Sequence, residues 1–430
     1  MIAVAALLAG CASSPQPTGR SQVDAVATII EQDYYKTVSR PTLLSGCLAA
    51  LDSSSAAPAQ TPRSPGTMED VAAALSRAGG GHLQAAIDRC LHGMVGTLEH
   101  RSAEYISREE SAERRQRHAA LGLELAIADE GARVVSVVED GPAGRASLRP
   151  GALLLQVDGL ALKDRPLRDV YRLLRGEVGS STKLELRDDD SAPARSLTLV
   201  RQVVTATDGL LVNWAAPGIA LVRIPRFGAA DPGRLATRLG TLLGASAESL
   251  EGIVLDLRGN TGGLLDASVA TAAAFLPPGV RVVSTVGRRA EHAEHHIIGA
   301  DAGPPGARAL ARLPATVRTA PMVVMVSRTT ASGGEVVAAA LQDHRRAKVL
   351  GWPTAGLGLV QTVQPLAGGA VLQLATSSMW RPNGAPLQGL GVTPDVSSAH
   401  GLDQHPRFGP ASRTDPMLAE ALRLVKAAVR

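Results

Sequence analysis

Aromatic side chains are scarce in this chain: Phe, Trp and Tyr together make up 2% of its 430 residues. Proteins that bind nucleic acid commonly stack bases on aromatic side chains that lie beside basic residues. The formal net charge here is only +4, and no block of basic residues is interleaved with aromatics. We therefore expect no nucleic-acid partner.

Long apolar runs are also missing beyond the N-terminus. No stretch of about twenty apolar residues follows the first eleven positions, so no transmembrane helix is expected. The content of 45% hydrophobic and 20% charged residues is typical of a globular α/β protein. A chain of 430 residues is longer than a single hydrophobic core usually accommodates, so two or three domains are predicted.

The first eleven residues, MIAVAALLAGC, resemble a bacterial lipoprotein signal, in which Cys11 is lipidated and becomes the mature N-terminus. The Ser/Pro/Gln/Gly-rich residues that follow are typical of a flexible tether. A chance apolar start is the alternative, because the basic residues that usually open such a signal are missing. We expect a cell-envelope protein that is held by lipid, in the periplasm or on the outer face of the membrane.

Besides Cys11, the chain has only Cys47 and Cys90. Both lie in apolar runs with a helical pattern. In an oxidising compartment they form one pair, and two states remain open for it: a disulfide or two buried thiols.

Apolar residues at three- and four-residue spacing predict helices over 21–51 and 69–115. A Ser/Ala/Pro-rich linker at 52–66 separates them. We therefore expect a helical N-terminal region that a loop interrupts.

Residues 119–203 alternate short β-rich runs with Gly/Pro turns, and they include one amphipathic helix and a closing β-hairpin. The ordered motifs resemble a PDZ domain; they are Leu121-Gly122-Leu123-Glu124, Gly141-Pro142-Ala143, Pro150-Gly151 and Val157-Asp158-Gly159. The resemblance implies that a protein tail adds as a strand beside residues 123–127. The N–H groups of Leu121, Gly122 and Leu123 would hold its terminal carboxylate. The alternative is a small β-rich domain without a ligand.

Residues 209–400 predict strands followed directly by helices. Ile253–Leu257 forms an apolar strand before the tight turn Gly259–Gly263, and Met322–Val326 is a second apolar strand. Ser332 lies where this second strand gives way to a helix over 335–341. On local grounds it is either an ordinary helix N-cap or a nucleophile beside free backbone N–H groups.

After the PDZ-like motifs come LDLRGNTGGLLDA, TASGGEVVAAALQDHRRA, GLGLVQTV and RPNGAPLQGLGVTPDV. This succession resembles the C-terminal processing, or tail-specific, serine peptidases over most of residues 90–430. It includes a closing helix for which Asp415 is the N-cap and Pro416 the first residue. The implied fold is a multidomain α/β protein with segments as follows: signal and tether 1–20, helical region 21–115, PDZ-like domain 119–203, peptidase-type core 209–400, and C-terminal linker and helix 401–430.

The resemblance also assigns roles in a catalytic site. Ser332 would be the nucleophile, and Gln361 would support the general base. The oxyanion hole would combine the N–H of Gly333 with one from the Gly262–Gly263 turn. The family more often has Ala-Ser where this chain has Gly333-Gly334, which leaves the backbone donor in place.

Leu357 occupies the position at which the family has its catalytic lysine. Leucine cannot accept a proton. The chain has five lysines in all: Lys36, Lys163, Lys183, Lys348 and Lys426. Lys348 is nearest in sequence, but it begins the preceding strand. His344 or a histidine of the 292–296 segment could act as a substitute base, although His344 is better placed to end its helix, where a cation is favoured.

His292, His295 and His296 have a spacing that could bind a metal. Only Glu291 and Glu294 accompany them, so a solvated loop or edge strand is predicted instead, and no metal or other cofactor is expected.

The resemblance and the missing lysine leave two candidate functions. One is an envelope serine endopeptidase with weak activity that cuts proteins near their C-termini. The other is an inactive pseudoprotease that binds such tails as an adaptor or regulator.

Overall fold

The computed structural model describes most of the chain, with short gaps. The described residues are 19–52, 66–78, 80–99, 102–111, 119–138, 141–149, 151–165, 167–189, 191–204, 210–245, 249–289, 294–297, 307–398 and 415–429. The predicted lipidation site Cys11, most of the predicted linker and His292 lie outside these ranges. The chain divides into two compact units, Met1–Arg108 with Thr362–Leu374, and Glu109–Gln361 with Ala375–Arg430.

The helices of the described residues are α1 Gly19–Asp33, α2 Arg40–Asp52, α3 Met68–Arg77, α4 Leu83–Val95, α5 Pro142–Arg145, α6 Leu167–Leu174, α7 Asp231–Ala245, α8 Leu265–Phe275, α9 Ala307–Ala311, α10 Thr316–Thr319, α11 Gly333–Asp343 and α12 Pro416–Val429. None of these helices is long and apolar enough to span a bilayer.

The strands of the described residues are β1 Ala103–Ile106, β2 Ala119–Ala120, β3 Leu123–Ala128, β4 Gly131–Val137, β5 Leu153–Val157, β6 Leu160–Ala161, β7 Ser181–Arg187, β8 Arg195–Val200, β9 Gln202–Val203, β10 Leu211–Ala216, β11 Ile219–Arg223, β12 Gly252–Asp256, β13 Arg281–Gly287, β14 Glu294–Ile297, β15 Met322–Val326, β16 Lys348–Gly351, β17 Leu359–Pro365, β18 Val371–Trp380 and β19 Val396–Ser397.

The first unit is built mainly from α1 to α4. Val23, Val26 and Ile30 bury the apolar face of α1, as their spacing predicts. Helices α2 and α4 approach closely at Gly46, where an added Cβ would lie 2.5 Å from the Gly93 carbonyl oxygen. At this crossing Cys47 and Cys90 form a disulfide, which is one of the two states that the sequence left open.

The helix predicted over 69–115 is wrong in its second half. Helix α4 ends at Val95, and residues 103–106 form β1, which pairs antiparallel with the first part of β18. Tyr105 and Ile106 are buried in this strand, and the Tyr105 hydroxyl donates to Asp88 at 2.7 Å. The pairing partner lies more than 260 positions later in the chain, so local spacing could not indicate the strand.

Removing the Cys47–Cys90 disulfide should weaken the first unit. The bond closes a loop with a sequence separation of 43 residues, so replacing both cysteines by alanine should lower the free energy of unfolding by about 2–4 kcal/mol. Urea-dependent hydrogen exchange in α2 and α4 measures this loss. Reductant should reproduce it in the wild type and have no effect on the double variant. Equal stability of oxidised wild type and double variant would contradict the prediction.

The PDZ-like part of the second unit is a sheet with the order β3-β4-β5-β7-β8. The predicted closing hairpin is present as β7 and β8, which pair from Ser181↔Val200 to Leu186↔Arg195. Alternate residues of the strands, including Val157 and Leu184, are buried against α6, whose Val170 and Leu174 complete the core. Strand β3 is the edge of this sheet.

The α/β core of the second unit is a sheet with the order β10-β11-β12-β15-β16-β19. Strands β11, β12, β15, β16 and β19 run parallel, and β10 is antiparallel at one edge. Strands β11, β12 and β15 are buried throughout, which is the pattern of a sheet covered on both faces. Alternate residues pack against α7, α8 and α11 on one face and against α12 on the other.

The neighbouring parallel strands β12 and β15 place the candidate site. Each is followed by a turn and a helix, so Gly259–Gly263 and Ser332 come together at the carboxyl ends of the strands. A separate pairing joins β13 to the second part of β18 and to β14. Strand β14, which carries His295 and His296, is the edge strand that the sequence allowed.

A buried ionic cluster lies at the end of β12. Arg258 is 4% exposed and donates to Asp256 at 2.8 and 2.9 Å and to Asp415 at 2.7 and 3.1 Å. Burial alone would raise the pKa of Asp256, but the Arg258 guanidinium holds that pKa below its usual range. Asp415 also accepts the N–H groups of Met417 and Leu418, which confirms it as the N-cap of α12.

Candidate active site

Ser332 has a strained backbone at the start of α11. Its φ is +51° and its ψ is −117°, in a region that non-glycine residues rarely adopt. The side chain is half-buried. Such strain persists only where the surroundings enforce it, and it is commonest at functional sites.

Glu335 is the main group that holds Ser332 in place. Its side chain is fully buried, and its Oε2 accepts the Ser332 N–H at 2.8 Å and the Leu357 N–H at 2.9 Å. Its Oε1 accepts the Gly356 N–H at 2.6 Å and the Thr354 hydroxyl. One carboxylate therefore ties the start of α11 to the loop before β17, so that the backbone of Leu357 lies beside that of Ser332.

The family resemblance assigns no role to Glu335. The signal for it was present, because a serine followed three residues later by glutamate at a helix start is the capping-box pattern. That pattern predicts the bond to the Ser332 N–H. It does not predict the bonds to residues 354–357, because only the tertiary fold brings this loop to the helix.

The turn after β12 packs directly on Ser332. Gly262 has a φ of +98°, and an added Cβ would lie 2.6 Å from the Ser332 Cβ. The Gly262 N–H donates to Asn260 Oδ1 at 2.8 Å, so it is not available to a substrate. The N–H groups of Gly263, the next residue, and of Gly333 have no acceptor among the described residues. The candidate oxyanion donors are therefore Gly263 and Gly333 rather than Gly262.

Gly333 is glycine because its surroundings leave no room for a side chain. An added Cβ would overlap the Ser268 hydroxyl of α8 and would lie 3.1 Å from the Phe227 ring. Ser268 is itself fully buried and donates to the Leu264 carbonyl at 3.0 Å. The glycine at this position is thus matched to a serine on the neighbouring helix.

Gln361 and Leu357 lie on the chain segment that passes Glu335. Leu357 is half-buried, and Gln361 is an exposed residue in β17. Leu357 carries no group that can take a proton from Ser332. Lys348 begins β16, as predicted, and is exposed.

His344 cannot serve as the substitute base. It caps the opposite end of the 11-residue helix α11, which is roughly 16–18 Å from Ser332 along the helix axis. Its Nε2 lies 2.7 Å from the Arg281 carbonyl oxygen. His295 Nδ1 lies 2.8 Å from the Ser284 hydroxyl, and His296 lies 3.8 Å from Glu294. Within the described ranges, no three His, Cys, Asp or Glu side chains converge as metal ligands would.

The predicted carboxylate loop of the PDZ-like domain is a tight turn before β3. Gly122 has a φ of +74°, and an added Cβ would lie 2.8 Å from Val138. The Leu121 carbonyl accepts the Ala143 N–H, and the Gly122 carbonyl accepts the Val138 N–H, both at 2.9 Å. These bonds fix the loop from the carbonyl side.

Replacing Gly262 by alanine should destabilise the protein more than replacing Gly259. Both glycines have positive φ, but a Cβ on Gly259 meets nothing within 4 Å. Both changes introduce backbone strain, which is larger at Gly262 because its φ of +98° lies farther from the left-handed region than the +74° of Gly259. The contact with Ser332 should add about 1–3 kcal/mol to the loss in free energy of unfolding for Gly262→Ala. Chemical denaturation measures both variants. Equal losses would show that the turn does not press on Ser332.

Asp231 lies beside the same turn and should make the free energy of unfolding depend on pH. Phe227 bonds to Gly262 and Leu264 through its backbone, and the next N–H, that of Gly228, donates to Asp231 at 2.5 Å. Burial raises the pKa of Asp231 to about 6, although Gly228 and Arg238 oppose the rise. Its Oδ1 is buried without a partner among the described residues.

Because the folded protein binds this proton more tightly than the unfolded chain, Asp231 should add stability as the pH falls from 7 to 5. The expected gain in free energy of unfolding is about 1 kcal/mol, and Asp231→Asn should remove it. Thermal or urea unfolding at the two pH values measures the effect. Asp266→Asn, an exposed change in the first turn of α8, should leave the pH dependence as it is. A pH response that survives Asp231→Asn would refute the assignment.

Comparisons with known proteins agree with this architecture. Residues 218–398 match the model of peptidase family S41, and residues 133–188 match the model of the PDZ domain. A carboxy-terminal-processing protease of Bartonella bacilliformis is 30% identical over 319 residues, which cover 73% of this chain and 69% of that protein.

Two further relatives extend the comparison. The chloroplastic carboxyl-terminal-processing peptidase 1 of Arabidopsis thaliana is 30% identical over 63% of this chain, which spans only 53% of that protein. A solved structure of a protein named as an S41 protease, from Bacteroides fragilis, has a TM-score of 0.57 at 16% identity and covers 94% of this chain and 97% of its own. The predicted fold class is confirmed. With a PDZ domain ahead of an S41 core, the chain belongs to the carboxy-terminal-processing serine proteases.

Proposed function

We propose that this protein binds the C-terminal tails of other proteins through its PDZ domain and presents them to Ser332, where peptide-bond hydrolysis is slow. The observation that carries the proposal is the oxygen of Glu335 that accepts both the Ser332 and the Leu357 N–H. The residue beside the nucleophile is therefore Leu357, and its side chain cannot act as a base.

The chemistry that remains is nucleophilic attack without proton transfer to a side chain. Ser332 Oγ would attack the scissile carbonyl, and the N–H groups of Gly263 and Gly333 would stabilise the oxyanion. Water would have to take the serine proton, donate a proton to the amine that leaves when the C–N bond breaks, and then hydrolyse the ester left on Ser332. Loss of the base in serine hydrolases costs on the order of 10⁴–10⁶ in rate, and the oxyanion donors and substrate binding retain the rest.

The second candidate function is that of a pseudoprotease, and Leu357 favours it directly. In this role the PDZ domain captures a tail and the Ser332 site does no chemistry. The protein would then act as an adaptor or regulator of another protease.

We further propose a location in the cell envelope, with lipid on Cys11 as the anchor. The apolar start MIAVAALLAGC supports this. The disulfide between Cys47 and Cys90 fits an oxidising compartment.

Tail binding is tested with a labelled peptide that ends in apolar residues, in a free-carboxylate form and a C-terminal amide form. The carboxylate form should bind and the amide form should bind at least tenfold more weakly, because the loop of residues 121–123 recognises the charge. Equal affinities would contradict tail recognition.

Hydrolysis is tested with a protein substrate that carries the same unstructured tail. Slow cleavage that Ser332→Ala abolishes supports the weak peptidase. If the wild type and Ser332→Ala show the same rate of substrate cleavage and tail binding is intact, the result supports the pseudoprotease.

A further inference from the structure

We propose that the hydroxyl of Tyr171 occupies the place of a ligand carbonyl in the PDZ groove, so that a bound tail must displace it. This inference rests on the proposed tail binding and concerns its control. It starts from one hydrogen bond, in which the Leu125 N–H donates to the Tyr171 hydroxyl at 2.8 Å.

The bond crosses the groove that a ligand strand would enter. Strand β3 is the edge of its sheet, with β4 on one side. Its other side faces α6, because the Leu125 N–H reaches Tyr171 on that helix. A strand edge offers backbone N–H groups to an added strand. Here one of them is already bonded to a side chain of the same domain.

The register identifies the ligand group that is displaced. In an antiparallel ladder, bonds to a given neighbour recur at every second residue. With the terminal carboxylate at residues 121–123 and the last ligand residue bonded to Leu123, the next outward N–H is that of Leu125. It would donate to the carbonyl oxygen of the third residue from the ligand's C-terminus. That carbonyl and the Tyr171 hydroxyl compete for one donor.

Of the residues at this contact, Tyr171 is the least buried. Leu125 is 4% exposed and anchors β3 in the domain core. Val170 and Leu174 of α6 are 1% and 4% exposed and anchor the helix. Tyr171 is half-buried between these anchors. A tail can therefore enter beside β3 without moving either element if the Tyr171 ring rotates away.

Removing the hydroxyl while keeping the ring should therefore favour the ligand. Tyr171→Phe should bind the free-carboxylate tail peptide about two- to tenfold more tightly than the wild type, since one competing hydrogen bond is lost. In the absence of peptide, hydrogen exchange at the Leu125 amide should be faster by a similar factor. Tyr105→Phe, which removes a hydroxyl bonded to Asp88 in the first unit, should change neither quantity.

The outcomes separate this inference from the proposed function. If the wild type prefers the carboxylate peptide and Tyr171→Phe binds it equally or more weakly, the inference is overturned and tail binding stands. Unchanged exchange at Leu125 in Tyr171→Phe overturns it as well, whatever the peptide does. If neither protein distinguishes the carboxylate from the amide peptide, tail binding fails, and the competition fails with it.

Discussion

Replacing Leu357 by lysine should raise the rate of peptide-bond hydrolysis by on the order of 10²–10⁴, which is part of the 10⁴–10⁶ that serine hydrolases lose without their base. The backbone at this position is already in place, because the Leu357 N–H and the Ser332 N–H share one oxygen of Glu335. The leucine side chain is half-buried. An amine there would be partly desolvated, which lowers its pKa towards the range where it can accept a proton, while the nearby Glu335 carboxylate opposes this shift.

Glu335 should not capture the new amine. Each of its two carboxylate oxygens already accepts two hydrogen bonds, from Thr354 and Gly356 on one side and from Ser332 and Leu357 on the other. The added ammonium or amine would find no free acceptor on this carboxylate. We therefore expect the amine to bond to the serine hydroxyl instead.

The experiment measures cleavage of a substrate with an unstructured apolar tail. Leu357→Met is the matched control, since it has similar volume and no proton acceptor, and it should remain at the wild-type rate. Ser332→Ala in the Leu357→Lys background should abolish the gain. Robust cleavage by the wild type would mean that another group serves as base. No gain in Leu357→Lys would mean that position 357 does not reach the hydroxyl.

Replacing Arg258 by methionine should lower the free energy of unfolding by about 3–5 kcal/mol, because it removes the cation that bonds to two buried carboxylates. Arg223, 3.9 Å from Asp256, would remain as the second cation beside that carboxylate. Asp256 is fully buried and Asp415 is 4% exposed. Asp415 also caps α12, and that helix covers one face of the sheet through Met417, Leu418 and Val425. The loss should therefore include loosening of α12.

Chemical denaturation, with hydrogen exchange in α12, measures this effect. Arg195→Met is the matched control, since Arg195 also makes two bonds to a carboxylate, that of Asp188, but at the surface. Its effect should stay within about 0.5 kcal/mol. Similar losses for the two variants would show that burial does not determine how much the Arg258 cluster contributes to the free energy of unfolding.

The same cluster should lose stability in acid. The pKa of Asp256 is lower in the folded protein than the ordinary value near 4. Its contribution is therefore complete above that ordinary value and is lost as the pH falls through the lower folded pKa.

Local patterns predicted the parts of the fold that depend on local chemistry. The apolar run Met322–Val326 and the small residues that follow it became β15 and α11, with Ser332 between them. The turn Gly259–Gly263 and the N-cap Asp415 were equally readable, because glycine and aspartate meet needs that are set within a few residues.

Contacts between distant segments could not be predicted in this way. The Arg258–Asp415 bond joins residues 157 positions apart. The strand β1 has its partner near residue 374. The sequence also allowed His344 as a base, whereas the structure places it at the opposite end of α11 from Ser332. In each case the missing information was which elements pack together, and that is decided by the whole core.

The close contact between Gly333 and Ser268 has a consequence for how this site can change over evolutionary time. An alanine at 333 would overlap the Ser268 hydroxyl. With Ser268→Ala in place, the nearest remaining atoms lie 3.1 and 3.3 Å from the added methyl group, a tight but tolerable fit. The two positions are thus expected to be epistatic, and Ser268→Ala should lower the stability cost of Gly333→Ala.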